Sequence, residues 1–266
     1  MTPAFDGERF RALARSLTLG RECVVTRLTS STNDDALAAA RAGAPHGTLF
    51  VTDEQQHGRG RRGNTWHAPA GEALLFSVLL RPELPPERAS SLALVAGLAV
   101  RAAVAEALAA RGVDRAVRVK WPNDVVVDRV KVAGILVESQ MRGEKLGAAV
   151  VGVGLNTGRL DLPPDVQARA TSLAALGAPV TREALLHTVL SELEMRLSRL
   201  EGHASPLSTL VTELSEHDAL RGERVTVGDV EGTASGIDTV GNLKVVDATG
   251  RTHTVTSGHV IAKGWA

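Results

Sequence analysis

Residues 52–66 place the tightest limit on the folds open to this chain. A strand candidate at 47–52 runs into Gly58-Arg59-Gly60-Arg61-Arg62-Gly63, three glycines interleaved with three arginines, and then into Asn64-Thr65-Trp66. The letters satisfy G-x-G-x-x-G, but a dinucleotide-binding unit needs a helix opening at the third glycine. Here Asn64-Thr65-Trp66-His67-Ala68-Pro69 has no helical pattern, and Pro69 and Gly71 interrupt any helix. A doubly wound nucleotide fold is therefore set aside. What remains is a loop whose glycines allow positive φ and close approach to a ligand. Its guanidinium forks match phosphate or carboxylate oxygens two at a time. An anion clamp, a solvated basic turn and a nucleic-acid contact loop all fit these residues taken alone.

Charge balance weighs against the last of these. Lys+Arg and Asp+Glu number 30 each, so the formal net charge is zero. A dedicated nucleic-acid binder carries a basic excess. Aromatics make up 3% of the chain, with no tyrosine, which leaves little stacking surface for a single strand. The 266 residues hold one large domain and a small one. A single cysteine, Cys23, excludes an intramolecular disulfide framework and suits a reducing cytoplasm. In the context Glu-Cys-Val-Val-Thr it reads as a small buried hydrophobe. No basic-then-apolar leader opens the sequence. The most apolar span, 92–110, contains Arg101 and Glu106 and reads as a buried helix, with no membrane segment expected. The eight histidines show no zinc-type spacing, so no metal ligands are assigned. Neither a P-loop sequence nor a G-x-S-x-G elbow occurs.

Taken in order, residues 6–17 form a helix candidate and 24–28 a strand. That strand enters Thr29-Ser30-Ser31-Thr32-Asn33, ahead of a helical stretch with Asp34 and Asp35 in its first turn. Thr32 is the expected N-cap. A cap needs one such residue and five are present, so the surplus hydroxyls and amide are also read as partners for a polar ligand. Strands follow at 47–52 and 72–80, and a helix at 89–111 stops at Gly112. Lys120-Trp121-Pro122-Asn123-Asp124 leads to a hairpin turning at Asp128-Arg129, and two further strands join at Arg142-Gly143-Glu144. By strict alternation Lys131 shares a face with Ala133 and Ile135, opposite Val132, Gly134 and Leu136. Helices are expected at 181–200 and 206–218. From Leu220 onward short strands alternate with Gly-Asp, Gly-Asn and Thr-Gly turns, suggesting a small β-barrel appended to an α+β domain. The expected division is 1–218 and 219–266.

Five stretches in register then resemble a known family. Ser31-Thr32-Asn33, Gln55 ahead of the Gly/Arg loop and Trp66, Lys-Trp-Pro-Asn-Asp, Lys-Val-Ala-Gly-Ile-Leu-Val-Glu and Gly-Val-Gly-Leu-Asn look like biotin–protein ligase. The likeness spans 28–173, with a weaker Ala-Thr-Ser-Leu at its end. It implies a mixed β-sheet catalytic domain with flanking helices, of the class II aminoacyl-tRNA synthetase-like type, and a C-terminal SH3-like barrel. It implies that biotin and ATP give biotinyl-5′-AMP, which then acylates a lysine of a biotin carboxyl carrier protein. By resemblance Ser31, Thr32, Asn33, Gln55, Arg59, Gly60, Arg61, Lys131, Gly134, Leu136 and Gly152 serve biotin or its activated carboxyl. Arg61, Arg62, Trp66, Lys120, Asn123, Lys131 and Asn156 serve ATP, with Mg²⁺ carried mainly on the phosphates. Arg61, Lys120, Asp124 and Lys131 are the catalytic assignments, Asp124 orienting the acceptor lysine.

The loop at 58–66 is expected to order over the adenylate when ligand is present. Only about 27 residues precede the Ser/Thr/Asn stretch, so a monofunctional ligase without a DNA-binding module is expected, as monomer or homodimer. Asn64-Thr65 stand where many family members carry a basic residue, which weakens one expected triphosphate contact. A lipoate–protein ligase and a non-catalytic nucleotide-responsive regulator are the alternatives.

Overall fold

The computed structural model describes residues 2–160, 169–200 and 207–265. Its helices are α1 (Gly7–Leu13), α2 (Thr32–Arg41), α3 (Leu92–Ala109), α4 (Arg182–Ser198) and α5 (Val211–His217). The first seven strands are β1 (Cys23–Thr29), β2 (Leu49–Gln55), β3 (Ala73–Leu80), β4 (Val117–Lys120), β5 (Asp124–Val127), β6 (Val130–Arg142) and β7 (Lys145–Asn156). They form one sheet in the order β1-β2-β3-β7-β6-β5-β4. Only β1 and β2 run parallel within it, so the sheet is mixed.

Alternation along β3 shows how this sheet is sandwiched. Leu74, Phe76, Val78 and Leu80 enter the main apolar cluster with α3 and α4. Leu79 joins Ala36, Ala40, Phe50 and Val150 in a smaller cluster under α2. A strand buried on both faces reads as an unbroken apolar run, and all eight β3 residues are buried. Helix α3 is long and apolar enough by composition to cross a bilayer, yet twelve of its residues are packed inside the protein. Cys23 is half-buried, and loss of hydration pushes its thiol up to about 11, which makes it a poor nucleophile.

The remaining strands are β8 (Arg224–Val227), β9 (Val230–Ile237), β10 (Leu243–Val246), β11 (Thr252–Val255) and β12 (Val260–Ala262). They make an antiparallel sheet in the order β11-β10-β9-β8-β12. Among the described residues β11 and β12 do not pair with each other, so the five strands of the barrel expected from the turn pattern are present as one antiparallel sheet without closure between its ends. The change of sheet falls where composition shifts, but the apolar cluster is continuous across it. Val225, Leu243 and Val245 share one core with Leu94, Val119 and Trp121. Ala219 N–H donates to Val119 O, and the Trp121 indole N–H donates to Gly241 O at 2.9 Å each. The second sheet therefore braces the segment that carries Lys120.

Two local readings are corrected. The α2 cap is Ser31, one residue before the expected Thr32, and the Ser31 side chain makes no capping bond. The last helix is α5, Val211–His217; Pro206, its expected start, lies outside the described residues.

Candidate active site

Three glycines clear a floor on the α2 face of the large sheet. Ser77, Gly152 and Leu136 lie side by side on β3, β7 and β6, and Leu75, Gly154 and Gly134 form the next row. A Cβ on Gly152 would run into the Asn33 amide, and one on Gly154 into the Trp66 ring. At Gly134 it would sit 3.0 Å from both Lys131 Nζ and Trp66 Cζ3. Glycine is needed at these strand positions because other side chains rest directly on the backbone.

The N-terminus of α2 closes one end of this floor. Gln55, at the end of β2, accepts the Thr32 N–H at 2.8 Å and the Thr32 hydroxyl at 3.1 Å. It thus satisfies a helix donor that the cap residue leaves free. Ser77 Oγ lies 2.6 Å from Asn33 Oδ1 and 2.7 Å from Thr32 Oγ1. Asn33 Nδ2 donates to Glu138 Oε2 at 2.7 Å. Ser31, Thr32 and Asn33 are all buried, so hydroxyls and amides are held in fixed orientations at a positive helix end.

Cations converge from the opposite side. Lys120 ends β4 and Asp124 begins β5, facing each other in register. Asn123 holds the turn between them by donating its side-chain N–H to Ile135 O at 2.7 Å. Lys131 was expected to share a face with Ala133 and Ile135. A β-bulge overturns that: Val125 pairs with Ala133 but Val126 pairs with Lys131, leaving Val132 as the extra residue. The bulge re-aims Lys131 onto the face of Gly134, where Nζ meets Asp124 Oδ1 at 2.7 Å. The ammonium also stands 5.4 Å from the Trp66 ring centre. Burial holds the Lys120 ammonium below the ordinary lysine range; nearby Asp124 opposes that shift and Lys131 adds to it. The face of Trp265 covers Lys120 Nζ at 5.1 Å. Burial likewise lowers Arg61, with Arg62 adding to the effect and Asp124 opposing it.

The loop forms a lid with its own backbone bonds. Gly60 N–H donates to Asn64 O at 2.7 Å, and Trp66 N–H to Gly58 O at 2.9 Å. Arg62 and Gly63 take positive φ of 58° and 78° to turn the tip. At Gly58 a Cβ would meet the Trp66 carbonyl. Arg59 Nη2 bonds Asp34 Oδ1 and Glu138 Oε2, each at 2.7 Å. Among the described residues the Trp66 indole N–H is buried without a hydrogen-bond partner.

Of the residues singled out from sequence, every one except Asn156 lines a single cavity. Asn156 is buried and gives its side-chain N–H to Thr171 O at 3.0 Å, outside that lining. Sequence reasoning missed Ser77, Gly154 and Glu138. Each carried a signal: Gly154 and Glu138 follow Gly152 and Leu136 by two on the same strands, and Ser77 is a lone hydroxyl in an apolar run. Gly258, His259 and Val260 also line the cavity, and no local pattern could have placed them there. Among the described residues no group of three or more His, Cys, Asp or Glu side chains is placed to hold a metal ion.

Comparison with known proteins agrees with this geometry. Residues 25–156 match the model of the biotin/lipoate A/B protein ligase family. The chain is 36% identical over 249 residues to a biotin–[acetyl-CoA-carboxylase] ligase of Mycobacterium tuberculosis (strain ATCC 25618 / H37Rv), covering 91% of this chain and 89% of the relative. It is 32% identical over 231 residues to the bifunctional ligase/repressor BirA of Bacillus subtilis (strain 168), covering 85% and 69%. The biotin protein ligase of Aquifex aeolicus, solved with biotin and ATP, superposes with a TM-score of 0.74 at 25% identity, over 91% of this chain and 99% of that one. A cation-lined glycine floor, and relatives that match it along most of their length, place this chain among the biotin–protein ligases of the biotin/lipoate A/B protein ligase family.

Proposed function

We propose that this chain joins biotin to ATP as biotinyl-5′-AMP and passes the biotinyl group to a lysine of a biotin carboxyl carrier protein. The observation that carries this reading is convergence. Arg61 and Arg62 from the loop, Lys120 from β4 and Lys131 from β6 line one cavity whose far end is the polar N-terminus of α2. The first step brings two anions together: a biotin carboxylate oxygen attacks the α-phosphorus and pyrophosphate leaves. Fixed cations offset that repulsion and the charge that builds at phosphorus, and alignment supplies much of the rest.

Ser31, Thr32, Asn33 and Gln55 are suited to the polar end of biotin, with Gly134, Leu136 and Gly152 beneath it. Lys131, whose ammonium stands over Gly134, is suited to the carboxylate being activated. Lys120, Arg61, Arg62, Asn123 and Trp66 are suited to the nucleotide. Asn156, which lies outside the cavity lining, is suited on its hydrogen bonds to hold the 171–173 segment in place. In the second step a carrier lysine attacks the acyl carbon, AMP leaves, and the amine loses a proton; Asp124, which already binds an ammonium in Lys131, is suited to orient it. Mg²⁺ enters as part of the ATP substrate, screening the phosphates. A lid of 58–66 over the adenylate would shield the anhydride from water. The zero net charge favours a ligase without a nucleic-acid task, the single cysteine favours a reducing cytoplasm, and the open sheet at 224–262 is read as the SH3-like unit.

ATP-dependent transfer of labelled biotin to a carboxylase carrier domain tests the reading, with lipoate as the competing acid. Biotin-selective labelling of the carrier is expected. Labelling that follows lipoate instead, or adenylate-free nucleotide binding with no transfer, would replace it with one of the two alternatives.

A further inference from the structure

Arg59 differs from the other loop cations. Its guanidinium is already matched by two carboxylates: Asp34 on α2 and Glu138 on β6 both meet Nη2 at 2.7 Å. Glu138 does two jobs with one oxygen, since Oε2 also accepts the Asn33 side-chain N–H at 2.7 Å. Asn33 is fixed in turn by Ser77 and sits where a Cβ on Gly152 would be. A continuous chain of polar contacts therefore runs from the loop, through Glu138, to the residues on the glycine floor.

We propose, resting on the ligase reading for the loop's task, that Glu138 and Asp34 are positioning residues that latch the Gly/Arg loop closed. Through Arg59 they tie the lid to α2 and β6 and leave Arg61 and Arg62 to face the ligand. The latch is electrostatic and half-exposed, its side chains being 27–48% accessible. It is consequently weak enough to open for substrate entry and sensitive to salt. Glu138 also makes closure dependent on Asn33, so a ligand that orders Asn33 orders the lid.

The loop's three arginines make trypsin a direct probe. Glu138→Gln keeps an oxygen for the Asn33 N–H but removes the charge opposite Arg59. Asp34→Asn, on the exposed side of α2, leaves Glu138 in place. With no substrate added, each variant is expected to be cut after Arg61 and Arg62 roughly two- to fivefold faster, the factor that a partly exposed ion pair carries. Their melting temperatures should be unchanged. Added salt should speed cutting of the unsubstituted protein toward the rate of the double variant, after correction for trypsin's rate on a free peptide of that sequence. In single turnover the same variants should release biotinyl-5′-AMP faster, and because lid and ligand are coupled both ways, any loss of biotin affinity should stay within the same two- to fivefold. Equal cleavage rates in the unsubstituted protein and both single variants, or a rate indifferent to salt, would overturn the latch. If the proteins bind no biotin at all, the ligase reading fails while the proteolysis result still decides the latch. Should Glu138→Gln not fold, Asp34→Asn alone decides it.

Discussion

The two sides of the cavity are built in different ways. On one side Lys120, Asp124, Lys131 and the glycine rows belong to strands, their positions set by sheet register and a single bulge. On the other, Arg59, Arg61, Arg62 and Trp66 belong to a loop held by a few backbone bonds of its own and by ion pairs at one arginine. A register cannot relax without unpairing several strands, whereas a loop opens at the cost of a few exposed contacts. The strand side is therefore suited to placing reacting atoms, and the loop side to retaining what they produce. Substitutions on the two sides should fail in different steps.

The largest effect is expected on the strand side. Lys131→Ala removes the ammonium that the bulge aims at the floor, and should slow biotin-dependent pyrophosphate release by roughly 10²–10³-fold, the usual cost of losing one preorganised charge-stabilising group. Near-normal release would show that the register serves only packing. Arg61→Ala is expected to act mainly on retention, with biotinyl-5′-AMP escaping about tenfold faster in single turnover, as fits the loss of one charged hydrogen bond. If formation suffers more than escape, the division between the two sides is wrong. Gly154→Ala tests where they meet. Its Cβ would displace the Trp66 ring, an overpacking cost of about 1–2 kcal/mol. KM for ATP should rise severalfold with kcat held, measured by initial rates.

Much of this arrangement could be read from the chain, and the exceptions share a cause. Gly/Arg loop, Lys-Trp-Pro-Asn-Asp and the Ser/Thr/Asn cluster are local, because turns and caps demand particular residues where they occur. Period-two alternation placed Gly134 and Leu136 on one face but sent Lys131 to the wrong one, since a bulge adds a residue without leaving a mark in the letters. Strand alternation, likewise, says nothing about whether five short strands close, and among the described residues the end strands of the second sheet do not pair. His259 and Trp265 reach the site only through the packing of that sheet against the first. Asn156, chosen by motif alone, turned its amide to a neighbouring backbone.

Titration of Lys120 separates the two sides by sign. Burial places its ammonium below the ordinary lysine value of about 10.4, against the pull of Asp124 and with the push of Lys131. Below its folded value Lys120 is charged and able to offset phosphate charge, so the first half-reaction should hold through neutral pH and fall on the alkaline side earlier than a free lysine would. Asp124→Asn removes the carboxylate attraction that helps keep the proton on, and should move that alkaline limb to lower pH. Stability carries the opposite slope. Between the folded value and the ordinary one the unfolded chain binds more protons than the folded chain, so this residue's contribution to stability rises with pH while activity falls. The Asp124→Asn shift should be absent from Arg61→Ala profiles normalised for retention, because Arg61 stays charged across the whole window. A limb that moves equally in both variants would mean that the loop, and not the strand-borne lysine, sets the alkaline limit.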